Sequence, residues 1–160
     1  MEQTDINERE AYVQNNYPYY EKEWRRIDKG EFSFNLAAFF LPIIWLGYRK
    51  IYRPIIVIAL VYLIITILNI TEAPSTWLRV IDSFYTLMIS FFFGFQGNKL
   101  YKKEADTQIE RVKRVSTNIE EKKKTLNKKG GISALGIVFA VLLVICVYTI
   151  PMIIIDFTLL

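Results

Sequence analysis

The chain has 160 residues, of which 52% are hydrophobic, 15% aromatic and 22% charged, and its net charge is +4. It contains no His and one Cys, which excludes His-based acid–base catalysis, Ser-His-Asp triads, intramolecular disulfides and CxxC zinc sites. No GxGxxG, Walker A or GxSxG motif is present, so we expect neither an enzyme nor a bound cofactor or metal. Apolar and charged residues are segregated along the chain, which indicates membrane helices flanked by polar segments.

Residues 1–31 are charged and aromatic, with eight acidic and five basic side chains. Apolar positions recur every seven residues, which predicts amphipathic helices: Ile6, Val13, Tyr20 and Ile27. Pro18 is expected to divide the segment into two helices. The apolar stripe has two interpretations, packing within the protein or contact with lipid headgroups on the cytoplasmic side. The segment is too acidic for the start of a cleavable signal peptide, so we expect the apolar runs to be retained.

Residues 32–46 form an apolar run that is short for a full membrane span. A helix of this length reaches about 22 Å, whereas the hydrocarbon core of a bilayer is about 30 Å thick. Pro42 would weaken such a helix further. We therefore predict a re-entrant or obliquely buried segment, and a short fourth span is the alternative.

A cluster of cations and aromatic side chains follows this run: Tyr48, Arg49, Lys50, Tyr52 and Arg53. Arg and Lys bind lipid phosphates, while the Tyr ring bridges the apolar and aqueous layers. Cytoplasmic loops of membrane proteins carry an excess of cations. The cluster therefore predicts a cytoplasmic anchor whose five side chains contact lipid phosphates at the membrane interface.

Three longer apolar runs are predicted to span the membrane: 54–70, 77–97 and 132–155. The first and the last contain no charged residue. The middle run carries Arg79 and Asp82, whose spacing permits an ion pair near the outer rim. A polar turn at 71–76 joins the first two runs and is expected to face outward. Residues 32–97 thus form a predicted membrane domain, and 132–155 a C-terminal span.

Residues 98–131 change character abruptly. Between 98 and 129 there are eleven Lys or Arg residues against five Asp or Glu residues, which places this block in the cytoplasm. Apolar residues recur at seven-residue spacing and predict one long amphipathic helix that ends at the Gly130–Gly131 pair: Ala105, Val112, Ile119 and Leu126.

Two sequence motifs carry a resemblance to a known family. The run FSFNLAAFFLPIIWLGYRKIY at 32–52 and the element GNKLY at 97–101 resemble the DUF2628 family of small bacterial integral membrane proteins, over about residues 17–115. The motif positions outside the cationic cluster are Asn35, Ala37, Ala38, Trp45, Gly97, Asn98 and Tyr101. Ile51 replaces the family's usual Met, and the customary Gly-Pro before Trp45 is absent. The resemblance implies a membrane protein without a settled biochemical activity, so no catalytic residue is implied.

The motif residues also have physical interpretations. Asn35 lies in an apolar setting and needs hydrogen-bond partners, which backbone carbonyls freed by a re-entrant turn would provide. Ala37 and Ala38 offer a flat face for close helix approach, and Gly97 thins the end of the third segment. Asn98 is expected to cap the basic helix that follows.

Taken together, these features predict an all-α, multi-pass protein of the bacterial cytoplasmic (inner) membrane. It has three transmembrane helices, one re-entrant or short membrane segment and amphipathic cytoplasmic helices. We expect a non-enzymatic role through interaction with another membrane component. The expected partners are anionic lipid headgroups and another membrane protein, with a homo-oligomer left open. Specific nucleic-acid binding is not expected, because an anionic leaflet is the nearer polyanion.

Two other functions stay open at this point. One is an immunity or defence protein against a membrane-active peptide or phage, a role that suits small, basic proteins with few spans. The other is an oligomeric transport or pore subunit, for which Asp82 is the candidate ionisable residue inside the membrane.

Overall fold

The computed structural model describes residues 2–71, 76–116 and 118–158, so most of the predicted turn at 71–76 lies outside it. All regular structure in these residues is α-helical, which confirms the all-α prediction. The helices are α1 (Glu2–Val13), α2 (Tyr17–Asp28), α3 (Leu36–Phe40), α4 (Pro42–Tyr48), α5 (Tyr52–Thr71), α6 (Thr76–Val115), α7 (Ile119–Lys129) and α8 (Ala134–Thr158).

The N-terminal segment forms two helices that are separated just before Pro18. Gln14 and Asn16 adopt positive φ angles of 54° and 68°, and Pro18 lies in the first turn of α2, where its missing N–H costs little. The side chains of Tyr17, Tyr20 and Trp24 are buried. Their face packs against α6, inside the protein. The Ile6 side chain lies outside the described residues.

Helices α3 and α4 form a tight hairpin beside α6. Leu41 leaves the helical conformation, with φ −135° and ψ 58°, and Pro42 starts α4. The two helices have 5 and 7 residues, and each is therefore only about 8–10 Å long, too short to cross a bilayer.

The hairpin runs along α6 toward its N-terminal, apolar half and then turns back. At its start, the Asn35 backbone amide donates to the Gly94 carbonyl at 2.8 Å. One turn of α3 later, the Phe39 ring lies 5.1 Å from the Phe91 ring. In α4, where the chain runs in the opposite direction along α6, the Trp45 ring lies 6.3 Å from the Tyr101 ring. Residues 32–46 therefore form a helical hairpin, and not a single straight helix.

Helices α5, α6 and α8 pack side by side. Ring contacts join Tyr52 to Phe139 at 5.7 Å and Tyr62 to Tyr148 at 5.5 Å, so α5 and α8 run parallel. Tyr62 also contacts Tyr85 of α6 at 5.0 Å. The start of α5 lies beside residues 100–111 of α6, and α6 therefore runs antiparallel to α5.

The prediction of one long basic helix over residues 98–131 is wrong in two respects. The basic block does not start a new helix, because α6 continues without a break through Gly97 and Asn98 to Val115. The block then divides, and Asn118 caps α7 by accepting a hydrogen bond from the Glu120 amide at 3.0 Å. Of the four predicted stripe residues, Ala105, Val112 and Leu126 are buried, whereas Ile119 is 75% exposed, because it lies at the start of α7 just after the break between the two helices.

Helix α7 instead packs on the N-terminal helix. The Gln14 side chain donates to the Asn127 carbonyl at 2.7 Å, and the Gly131 amide donates to the Tyr12 carbonyl at 2.7 Å. Ion pairs Arg9–Asp106 and Lys113–Glu8, both at 2.9 Å, join α1 to the basic half of α6. Helices α1, α2, α7 and the basic half of α6 thus surround a shared core.

Within the part of the chain that the structure describes, two stretches are long and apolar enough to cross a membrane by length and composition, Tyr52–Asn69 in α5 and a window within Ile119–Pro151 whose apolar part is α8. The apolar half of α6, predicted as a third span, is not found among these described stretches. Arg79 and Asp82 lie in that half and lower its hydropathy. The structure pairs Asp82 with the hydroxyl of Tyr148, at 3.3 Å, and not with Arg79.

Candidate functional site

The core beneath the hairpin is a cluster of aromatic side chains around Tyr101, here called the aromatic hub: Tyr12, Tyr20, Trp24, Trp45 and Tyr101. Tyr101 is fully buried and its ring lies 4.7–6.3 Å from the other four rings. The Trp45 indole N–H donates to the Tyr20 hydroxyl at 3.1 Å. Helices α1, α2, α4 and α6 each contribute to the hub, which therefore joins the hairpin to the N-terminal helices.

Arg49 is enclosed by this hub. Its guanidinium carbon lies 4.6 Å from the Tyr20 ring centre and 5.1 Å from that of Tyr101. Its terminal nitrogens donate to the carbonyls of Val13 at 3.3 Å and Asn15 at 3.0 Å. These carbonyls follow the end of α1, where free carbonyls carry partial negative charge. Arg49 is 3% exposed, so its side chain is enclosed by the protein and is not at the surface, where the contact with lipid phosphate was predicted.

A chain of buried polar side chains runs beside the hub. Asn35 caps α3 by accepting from the Ala38 amide at 2.9 Å, and its own amide donates to the side-chain oxygen of Asn98 at 2.9 Å. The Asn98 amide donates to the hydroxyls of Ser33 at 2.9 Å and Tyr19 at 3.2 Å. The Asn35 side chain therefore has the partners that burial demands, but they are the Ala38 backbone amide and the Asn98 side chain, and not a freed carbonyl.

Other sequence predictions for the motif are partly corrected. Asn98 does not cap a helix, because it lies in the middle of α6 and links the hairpin to α2. Ala38 is fully buried against Gly97, where an added Cβ would lie 3.1 Å from that of Ala38. Ala37 is exposed and takes no part in this contact.

A close approach between α4 and α8 was not predicted. A Cβ added to Gly47 would lie 2.9 Å from the carbonyl carbon of Gly136, and one added to Gly136 would lie 3.0 Å from that of Gly47. Both would be closer still to the carbonyl oxygens. Two small residues with no side chain let α4 and α8 touch backbone to backbone. A single Gly in each of two distant segments does not show from sequence that they meet.

The other four members of the cationic cluster occupy the surface next to the hub. Tyr48 is half-buried, and its carbonyl accepts from the Ser133 amide at 3.0 Å. Lys50 has a positive φ of 59° and its ammonium donates to the carbonyls of Lys128, at 3.1 Å, and Gly130. It thereby caps the C-terminus of α7, a favourable place for a cation. Partial burial lowers the pKa of Lys50.

A basic cleft of about 490 Å³ lies between the start of α5 and α6. Its cations come from two parts of the chain, Lys50 and Arg53 from the predicted cluster and Lys103 and Arg111 from α6. The side chains of Arg53, Lys103 and Arg111 are exposed and have no ion-pair partner among the described residues. Lys103, Thr107 and Arg111 follow each other at four-residue spacing and therefore share one face of α6.

The cleft holds one carboxylate, that of Glu104. This carboxylate accepts a hydrogen bond from Gln108 at 2.7 Å. Four cations against one carboxylate make the cleft suited to an anionic group. Among the described residues, no group of three or more acidic or Cys side chains is placed to hold a metal ion. Sequence reasoning recognised the charge of 98–131 but did not single out Lys103 and Arg111.

Burial of the hub has a consequence for stability at high pH. Burial raises the pKa of Tyr101 to about 12, against an ordinary value of 10.0. Below pH 10 the tyrosine is neutral in both folded and unfolded chains. Between pH 10 and 12 the unfolded chain loses this proton first, so the free energy of unfolding falls by up to about 1.4 kcal/mol per pH unit for this group.

We therefore expect the melting temperature in detergent to fall more steeply above pH 10 for the native chain than for Tyr101→Phe. Thermal unfolding followed by circular dichroism between pH 8 and 11.5 measures the difference. Tyr52→Phe, at an exposed position, serves as the control and should keep the native slope. Identical slopes for all three proteins would show that Tyr101 is not held neutral by burial.

These features define an all-helical protein in which a short helical hairpin is held by an aromatic and amide core beside long apolar helices. The chain belongs to the family described as "Protein of unknown function (DUF2628)", whose model matches residues 3–106. The match confirms the family resemblance seen in the sequence, and it includes the hairpin, the aromatic hub and the Asn35–Asn98 pair. Helices α7 and α8 lie beyond it. No curated protein and no solved structure matches the chain.

Proposed function

We propose that this chain is a small integral protein of the bacterial cytoplasmic membrane that performs no chemistry and acts by recognising another membrane component. The component that the geometry supports best is an anionic lipid, with its headgroup phosphate in the basic cleft. The observation that carries the proposal is the set of cations in the basic cleft that have no ion-pair partner among the described residues, namely Arg53, Lys103 and Arg111.

The exposure of the apolar helices supports the membrane location. In each of the two stretches that could span, only 28% of the residues are buried within the protein. The core helix of a water-soluble protein would bury its apolar face, whereas these helices leave large side chains uncovered. The apolar half of α6 is equally exposed, with Phe84, Phe91 and Phe92 on its surface. A bilayer would cover all three helices, which supports the third span.

The hairpin then becomes the re-entrant segment. From Asn98 to Phe91, α6 rises about 10 Å, so the hairpin tip reaches about a third of the way into a hydrocarbon core of about 30 Å. Its tip residues are apolar and exposed, with Phe40 at 70%. The hub and the basic cleft then lie at the cytoplasmic interface, on the side expected for cations.

The basic cleft is chemically suited to a lipid phosphate. Lys103 and Arg111 supply charge, and the Tyr52 and Thr107 hydroxyls lie in the same cleft. Each cation near an anionic leaflet contributes about 1 kcal/mol. The apolar surface of α5 begins directly beside the cleft, so acyl chains of a bound lipid could lie along it.

The proposal is tested by lipid titration of the full-length protein in neutral detergent, followed by native mass spectrometry. We expect phosphatidylglycerol to bind and phosphatidylcholine to bind much more weakly. The Lys103→Gln/Arg111→Gln variant should lower the affinity for phosphatidylglycerol about 30-fold, since two cations at about 1 kcal/mol each are lost. Raised salt should weaken binding as well.

A matched control removes two cations elsewhere. Lys123→Gln/Lys124→Gln lies on the exposed face of α7, outside the cleft, and should keep the native affinity. Equal losses in the two double variants would mean that general charge attracts the lipid, and the assignment of the cleft would fail. The immunity and transport hypotheses stay predictions.

A further inference from the structure

A second cleft of about 400 Å³ lies between the hairpin, the start of α2 and α8, and is here called the hairpin cleft. Its apolar lining comes from exposed or half-buried side chains of the hairpin and α8, namely Leu36, Leu41, Ile44 and Ile137. Asn16, Tyr19 and Tyr48 add polar groups to the lining, and Trp45 and Arg49 line the cleft as well. The cleft therefore combines an apolar lining with polar groups and one cation.

Arg49 contributes a buried positive charge to the lining of this cleft. It is 3% exposed, and no carboxylate lies within ion-pair distance of it among the described residues. Its Nε is buried and has no hydrogen-bond partner in the described part of the chain. Two backbone carbonyls and three tyrosine rings surround the guanidinium, but none of them carries a negative charge. A buried cation without a counter-ion is costly, and an unpaired buried donor adds to that cost.

We propose that the hairpin cleft binds a single-chain amphiphile with an anionic head, a carboxylate or a phosphate. The head lies beside Arg49 and supplies the negative charge that this side chain lacks. The chain lies against the apolar lining residues Leu36, Leu41 and Ile137. The volume is at the small end of the range for small-molecule sites, which favours one chain over a complete two-chain lipid.

The hairpin cleft and the basic cleft are different sites. They share no lining residue. The basic cleft carries exposed cations, which are accessible to any anionic headgroup. The hairpin cleft instead has one enclosed cation, Arg49, and several apolar lining residues. The inference rests on the membrane location given above but not on phosphate binding in the basic cleft. A substitution in one cleft is therefore expected to lower binding at that cleft and to leave binding at the other cleft unchanged.

Fluorescence quenching tests the proposal, because Trp45 lies in the cleft wall. Bromine atoms quench indole fluorescence only at close range. The background is Trp77→Phe, since Trp77 is 78% exposed and would be quenched by any dissolved amphiphile. Trp24 stays in place, because it is 1% exposed. Full-length protein in nanodiscs of phosphatidylcholine is titrated with dibromostearate, and we expect saturable quenching.

Competitors then define the ligand. Unlabelled stearate or octadecyl phosphate should reverse the quenching, and which of them does so at lower concentration identifies the preferred head. Octadecanol, with the same chain and no charge, should compete at least tenfold less well. Equal competition by octadecanol, or competition by inorganic phosphate alone at the same concentration, would overturn the proposal.

Two variants locate the site. Ala37→Phe places a large side chain in the lining of the cleft from an exposed position, so it should keep the fold and lower the affinity at least tenfold. Val57→Phe, on the exposed face of α5, is its matched control and should bind as the background does.

Arg49→Gln should abolish the preference for stearate over octadecanol. Native affinity in Ala37→Phe would overturn the site, whether or not Arg49→Gln folds, and Lys103→Gln/Arg111→Gln should leave the quenching unchanged.

Discussion

A Gly136→Ala substitution is expected to disrupt the packing of α8 on α4. The new methyl carbon would lie 3.0 Å from the carbonyl carbon of Gly47 and closer still to its oxygen. Backbone atoms cannot move aside as a side-chain tip can, so the helices must separate. Overpacking of this kind costs about 1–3 kcal/mol, and we expect the upper end of that range. The higher helix propensity of Ala, about 1 kcal/mol, offsets part of the cost.

The measurement is the free energy of unfolding in mixed micelles with increasing SDS, followed by circular dichroism. Gly47→Ala meets the same contact from the other side and should behave alike. Gly97→Ala is a graded control, because its nearest contact is 3.1 Å and is a side-chain methyl; it should be less destabilising. Native stability in both Gly136→Ala and Gly47→Ala would show that α4 and α8 do not meet at these residues.

An Asn98→Ala substitution should be the most damaging change to the polar core. It removes two buried hydrogen bonds and one part-buried hydrogen bond, and it leaves the side-chain amide of Asn35 and the hydroxyls of Ser33 and Tyr19 without this partner. A buried polar group left unsatisfied costs about 1–3 kcal/mol. We expect a total loss of about 3–4 kcal/mol in the free energy of unfolding, measured in the same micelles.

Asn118→Ala is the matched control. It removes the exposed cap of α7 and should cost only about 1 kcal/mol. The double variant Asn35→Ala/Asn98→Ala adds a test of coupling, since two residues joined by a hydrogen bond should lose less together than the sum of the single losses. Strict additivity, or an Asn98→Ala loss no larger than that of Asn118→Ala, would contradict the assigned pair.

Local chain chemistry predicted most helices. Pro18 and Pro42 each begin a helix because proline fits the first turn and cannot lie inside it without loss of a hydrogen bond. The apolar lengths of α5 and α8 follow from uninterrupted runs of Ile, Leu and Val. The third apolar segment was predicted to end at Gly97, but α6 continues through it. A glycine inside a helix costs only about 1 kcal/mol, and here its missing side chain permits close packing against Ala38.

Contacts between distant segments were not accessible from the sequence. Arg49 was placed with its cationic neighbours at the membrane surface, yet the carbonyls after α1 and the rings of Tyr20 and Tyr101 draw it inside. Nothing in the local pattern distinguishes it from Lys50 or Arg53. The same holds for Lys103 and Arg111, which join the basic cleft only because α6 is antiparallel to α5.

By itself, the sequence determined that the chain is helical, where its apolar runs lie and which family it belongs to, because these depend on composition, spacing and short motifs. The tertiary structure alone decided which cation is enclosed, which amides meet and where two glycines let helices touch. The physical reason is that hydrogen bonds and close packing depend on distances between atoms that lie 30 to 100 residues apart in the chain. No local preference of the backbone encodes those distances.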